Sequence, residues 1–145
     1  MRKLFTIGFT KKNAREFFTR LEKASVRRIV DVRLNNSSQL AGFAKRGDLE
    51  FFLSRIGGID YVHFVDLAPT KEILDGYKKK KIDWAKYEQE YLDLLEKRKV
   101  ANKIAEKLRD GDCFLCSESE PSRCHRRLAA EFLAKAAGDI EIVHL

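Results

Sequence analysis

The sequence predicts an α/β protein: a three-layer, mainly parallel five-stranded sheet with helices on both faces. Three observations carry this. Short apolar runs at residues 4–9, 29–32 and 113–116 have the length of buried strands, not of helices. Between them lie stretches whose apolar residues recur at helical spacing. Strand patterns that alternate with helical ones argue a parallel sheet with right-handed crossovers. The 145 residues suit one α/β domain covering 1–145, long enough to bury a core. The expected strand order is 3-2-1-4-5, with a crevice between the first and fourth strands.

Leu4-Phe5-Thr6-Ile7-Gly8-Phe9 forms the first strand. Asn13 is a helix N-cap, followed by Phe17, Phe18, Leu21 and Ala24 on one helical face. Ile29-Val30-Asp31-Val32 is the second strand, and Asn35-Asn36-Ser37-Ser38 is a loop by composition. Asp48 opens a short helix that buries Leu49, Phe52, Leu53 and Ile56 and ends at Gly57-Gly58. Residues 59–65 alternate as the third strand, and 67–81 read as irregular, with Pro69 and Gly76. Asp83 caps a long helical stretch. Its stripe of Tyr87, Tyr91, Leu94 and Leu95 is out of phase with that of Ala101, Ile104, Ala105 and Leu108, so a break is expected at 97–99. After the turn Asp110-Gly111-Asp112 come the fourth strand at 113–116 and a polar loop at 117–120. A helix then runs from Pro121 to Ala137, with Gly138 as its stop. Residues 140–144 alternate as the last strand.

Composition narrows the function. No apolar run approaches the roughly 18 residues that span a membrane, so no membrane partner is expected. The N-terminus enters a strand with too short an apolar run for a secretory leader, and the expected location is cytoplasmic. Three cysteines without framework spacing fit a reducing compartment. Twenty-nine Lys and Arg against 22 Asp and Glu give a net charge of +7. That excess suits a nucleic-acid partner, and it equally suits a solvated lysine-rich surface. Lys78 to Lys81 beside Tyr77 and Trp84 poses the same choice.

The chain is organised around the stretch 113–127, Cys-Phe-Leu-Cys-Ser-Glu-Ser-Glu-Pro-Ser-Arg-Cys-His-Arg-Arg, which holds all three cysteines. Arg123, Arg126 and Arg127 near a helix start oppose the helix dipole, unless an anion sits among them. That anion is either a ligand or the internal carboxylates Glu118 and Glu120, and Arg127 has Glu131 four residues on. Arg126, at the edge of the apolar face, is the best ligand candidate. Cys124 and His125 point toward the sheet. A thiol in the first helical turn near arginines is expected to have a lowered pKa, although a small buried cysteine beside a hydrogen-bonded histidine is the favoured account of it. Cys113-x2-Cys116 is not assigned as a metal pair, because residues three apart on a strand face opposite ways. Cys116 and Cys124 are the one pair whose placement lets them meet. Asp31 and Arg33 end the second strand, either as an internal Asp–Arg network or with Arg33 pairing with Glu118 or binding an anion.

Together these motifs resemble a known family. Thr6-Ile7-Gly8, Val30-Asp31-Val32-Arg33 and Cys116-x-Glu118-x2-Pro121-x2-Cys124-His125-Arg126, in this order, are similar to the domain of unknown function 488 family. Gly58-Ile59-x-Tyr61 and the helix around Tyr87 and Tyr91 extend the likeness over most of the chain. The resemblance implies a compact α/β domain with a functional cluster at Cys116, Glu118, Cys124, His125 and Arg126, and it brings no established activity. The family often has His-Ser after the first-strand glycine, where this chain has Phe9-Thr10. It often has proline in the next loop, here Asn36, and Leu-Gly after the third strand, here Leu67-Ala68. Acid–base work by the missing histidine is therefore not expected, and the loop at 116–126 is intact.

The leading expectation is a binding site for an anionic small molecule or nucleic acid. Arg33, Arg126, Gly8, Thr10, Asp31 and Cys116 would be its binding residues, and Cys124, His125 and Glu118 its candidate catalytic groups. No cofactor or metal is assigned. A thiol redox protein using Cys124 and Cys116 is the second reading, and an interaction module with a structural cluster is the third.

Overall fold

The computed structural model describes residues 1–37 and 42–145; Ser38 of the predicted loop lies outside them. The chain runs β1 (Arg2–Gly8), α1 (Ala14–Lys23), β2 (Arg28–Asp31), α2 (Arg46–Gly57), β3 (Asp60–His63), α3 (Lys71–Lys78), α4 (Trp84–Lys97), α5 (Val100–Ile104), β4 (Asp112–Cys116), α6 (His125–Ala137) and β5 (Ile140–His144). All strand pairs are parallel. The predicted class and each predicted strand are present.

The strand order is β3-β2-β4-β1-β5, not the expected 3-2-1-4-5. The reason is burial. Every residue of β4 is buried, whereas β3 and β5 are only partly covered and take the edges. A strand that is apolar on both faces gains most at the centre.

From β1 the chain steps outward to β2 and β3, then returns to β4 and steps the other way to β5. With right-handed crossovers, that reversal puts the helices on opposite faces. Phe17, Phe18 and Leu21 of α1 and Leu49 and Leu53 of α2 pack with Phe5, Ile7, Ile29, Cys113 and Leu115 on one side. Tyr87, Tyr91 and Leu95 of α4, Val100 and Ile104 of α5, and Leu128, Ala129 and Leu133 of α6 pack with Leu4, Val30, Val32, Phe114 and Cys116 on the other. β4 therefore exits toward one face while both of its neighbours exit toward the other. The carboxyl end of β4 lies between two such reversals, where parallel sheets open crevices.

Local chemistry explains most boundaries. Asn13, Thr70 and Asp83 each accept from the backbone N–H three residues on and so cap α1, α3 and α4. The expected break at 97–99 falls at Lys99, whose φ of 57° ends α4 and starts α5. Arg98, at that break, donates to the carbonyls of Asp66 and Ala68.

Three boundaries differ from expectation. Residues 71–78 are helical, because the Thr70 cap outweighs Gly76, which packs on Ile82. The helix α2 starts at Arg46 and buries Leu49 and Leu53, while Phe52 and Ile56 stay exposed. The last helix starts at His125 and not at Pro121. Cys124 is extended, and its N–H closes a turn onto the Pro121 carbonyl at 3.2 Å. No helix among the described residues is long and apolar enough to cross a membrane.

Candidate functional site

Cys116 is the last residue of β4, and Cys124 is the N-cap of α6, so both ends of the loop 117–123 are held by regular structure. The loop is also held from below. Gly8 pairs with Cys116 in register, and a Cβ at Gly8 would overlap the Glu118 carbonyl oxygen. The chain thus needs glycine here for close approach of backbone to backbone. Thr10 N–H donates to the Ser117 carbonyl at 3.0 Å.

Arg126 lies beneath the loop and is 1% exposed. Its Nη1 donates to the Glu118 carbonyl, its Nη2 to the Ser119 carbonyl at 3.3 Å, and its Nε to Thr6 Oγ1 at 3.2 Å. These donors hold backbone. They do not meet the Glu118 carboxylate, which belongs to an exposed side chain. Arg127 pairs with Glu131 and Glu88 at the surface.

At the end of β2, Asp31 takes Arg33 Nε and Nη2 in two parallel bonds of 2.9 Å. Both side chains are buried. Such a fork fixes the guanidinium plane. Tyr61 donates its hydroxyl to Asp31 Oδ2 at 2.5 Å, and Asn36 Nδ2 donates to Tyr61 at 3.2 Å. Burial and the neighbouring Asp31 push the Tyr61 pKa up, so it stays a donor. His63 Nε2 donates to the Arg33 carbonyl at 2.7 Å, and its Nδ1 accepts from Asn36 at 3.2 Å. Arg33 is thus locked by side-chain and backbone bonds. Its remaining nitrogen, Nη1, is buried and has no hydrogen-bond partner among the described residues.

Between these two arrangements sits a thiol–imidazole cluster. The donor atoms of Cys116, Cys124 and His125 all lie within 4.8 Å of one another. His125 Nε2 donates to the Val32 carbonyl at 2.7 Å, which leaves Nδ1 with its lone pair, 3.6 Å from Cys116 Sγ. The T-shaped Tyr91 ring backs the imidazole at 5.5 Å. Cys113 faces the opposite side of the sheet, as strand alternation requires.

The thiol pKa expectation is reversed. The Cys124 thiol is pushed up by burial, whereas Cys116 is lowered by the Cys124 hydrogen bond, against its own burial. The Arg126 charge and the Ser117 and Glu118 backbone hydrogen bonds add to the lowering. Cys124 also makes no side-chain capping bond. An N-cap Ser, Thr, Asp or Asn would stabilise the helix by about 1 kcal/mol relative to a non-capping residue.

The cluster floors a cleft of about 1110 Å³ at the carboxyl ends of β2 and β4. Arg33, Glu118 and Arg123 line one side. Tyr77, Lys78, Lys80, Lys81, Trp84 and Tyr87, from α3, the turn after it and α4, line the other. Trp84 and Tyr87 stack with centroids 5.1 Å apart, and Tyr87 stacks on Tyr91 at 6.3 Å. The aromatic series therefore runs from the cleft wall to His125.

A family model described as Domain of unknown function DUF488 matches residues 13–133. The chain belongs to this family. No curated protein and no solved structure matches it significantly. The DUF488 match covers every candidate residue except Gly8 and Thr10.

Of the residues singled out in this DUF488 chain, Cys116, Glu118, Cys124, His125 and Arg33 line one cleft. Gly8, Thr10, Asp31 and Arg126 instead support them from behind. Sequence reasoning did not place Tyr61, His63 or Asn36 in the site, nor the aromatic wall. The adjacency of Lys78–Lys81 to Tyr77 and Trp84 was the one visible signal. What it lacked was the packing of α3 beside the end of β4.

Proposed function

We propose that this protein binds a phosphate-bearing ligand with a planar base, a nucleotide or a short segment of nucleic acid, in the cleft over Cys116. One observation carries the reading: Arg33, fixed by Asp31 and set over the Phe9 ring, lines the cleft, and its buried Nη1 has no hydrogen-bond partner among the described residues. A buried donor left unpaired costs about 1–3 kcal/mol, which an anionic oxygen would recover. Lys78, Lys80, Lys81 and Arg123 surround the opening with like charge, and Trp84 and Tyr77 offer faces on which a base stacks. Cys116 and His125 would lie beside the bound group as candidate nucleophile and base.

Thermal melting at fixed ionic strength, with phosphate or a nucleoside monophosphate, tests the reading. A ligand at a hundred times its dissociation constant stabilises by about 2.7 kcal/mol. Trp84→Ala is expected to remove the nucleotide's advantage over phosphate, and Lys81→Ala to weaken both. No shift with either ligand in the parent protein would overturn the reading.

One observation favours a second reading, thiol redox chemistry: the buried Cys116 and Cys124 sulfurs lie within 4.8 Å of each other. Oxidation that forms a reversible Cys116–Cys124 disulfide, detected by mass, would support it, and a sulfinic acid without a disulfide would oppose it.

A further inference from the structure

We infer that Cys116, Cys124 and His125 form a binding site for a soft divalent metal ion, Zn²⁺ foremost, whose fourth position opens into the cleft. The donors come from rigid neighbours: a central strand's last residue, a helix N-cap and that helix's first residue. All three side chains are buried, and their donor atoms fall within 4.8 Å of one another.

The spacing suits zinc. Tetrahedral Zn–S and Zn–N bonds of about 2.3 and 2.05 Å place sulfur and nitrogen about 3.6 Å apart and two sulfurs about 3.8 Å apart. Cys116 Sγ and His125 Nδ1 are 3.6 Å apart. That sulfur is also 3.9 Å from Nε2, so it lies against the ring, and rotation of both cysteine side chains is needed to bring the two sulfurs into line with Nδ1.

The imidazole is already prepared. Its Nε2–H is committed to the Val32 carbonyl at 2.7 Å, and a ligating histidine characteristically fixes its other nitrogen in this way. Thiolate–imidazole sets favour zinc over harder ions. Binding would convert two thiols to thiolates and release two protons. A fourth protein donor is not grouped with the three among the described residues, and all three line the cleft. Three protein ligands with an open position are the pattern of reactive rather than structural zinc sites.

The inference does not depend on the anion reading, because the metal is tested without any phosphate present. The reduced, metal-free full chain is titrated with Co²⁺. A tetrahedral dithiolate site is expected to give intense visible d–d bands and a near-ultraviolet sulfur-to-cobalt band. Both should saturate at one equivalent and be abolished by added Zn²⁺. Cys113→Ser should keep the spectrum. Cys116→Ser and Cys124→Ser should lose the charge-transfer intensity while their far-ultraviolet circular dichroism stays that of the parent. A weak octahedral spectrum in the parent, or an unchanged spectrum in Cys116→Ser, would overturn the assignment.

Discussion

Gly8→Ala is a small change with a large expected effect. The added methyl would overlap the Glu118 carbonyl oxygen and lie 2.5 Å from its carbon and 3.0 Å from Arg126 Nη1. Ordinary contact begins at 3.4 Å, so that carbon must retreat by about 0.9 Å and the overlapping oxygen by more. The obstruction is backbone, held by Arg126 and by the Thr10–Ser117 bond, so it has no free rotor to turn aside. Overpacking of this kind costs about 1–3 kcal/mol. Pulling the carbonyl off a buried guanidinium adds about 1.5–3 kcal/mol. The gain from replacing glycine with alanine in a strand offsets about 0.5–1 kcal/mol of this. The net loss is about 3 kcal/mol, or a melting temperature lower by roughly 10 °C in a chain of this size. Urea unfolding of both proteins measures it directly, with an unchanged slope expected. If Gly8→Ala melts within a degree of the parent, the loop does not rest on β1 and the support assigned to Arg126 is wrong.

Two further outcomes follow from the same geometry. Cys113 faces the core between the sheet and α1–α2, whereas Cys116 and Cys124 line the cleft, so mass-resolved alkylation of the folded protein should label one of the latter pair before Cys113. Labelling of Cys113 first would contradict the placement of β4. Lys99 holds a left-handed conformation at φ 57°, which costs a non-glycine residue about 1 kcal/mol, so Lys99→Gly should raise stability by about 0.5–1 kcal/mol in chemical unfolding.

The parts legible in the sequence are those governed by neighbours along the chain. Asn13 and Asp83 cap because their side chains reach N–H groups three residues away, and the α4–α5 break follows from two stripes that cannot share one helix. Strand order is different in kind. It depends on which whole strand gains most from central burial, and β4 displaced β1 from that place. Between the two readings of the Cys124 thiol, the buried one holds for a related reason. A helix start near arginines lowers a thiol pKa in water-exposed settings, but Cys124 is buried, and burial outweighs both. Arg126, at the edge of the apolar face, is the best ligand candidate by sequence, with the Glu118 and Glu120 carboxylates as the internal alternative. The loop's own carbonyls, which carry no sequence signature, take its donors instead.

Trp84 is the protein's one tryptophan, and it lines the cleft wall at the outer end of the aromatic series that leads to His125. Its emission therefore reports on this cleft alone, with no background from elsewhere in the chain. A base stacked on the ring should quench it, and Co²⁺ at the floor should quench it through energy transfer into the metal's absorption bands. Inorganic phosphate, lacking a ring, should leave it nearly unchanged. The unlabelled protein thus has a native optical sensor that distinguishes what enters the cleft.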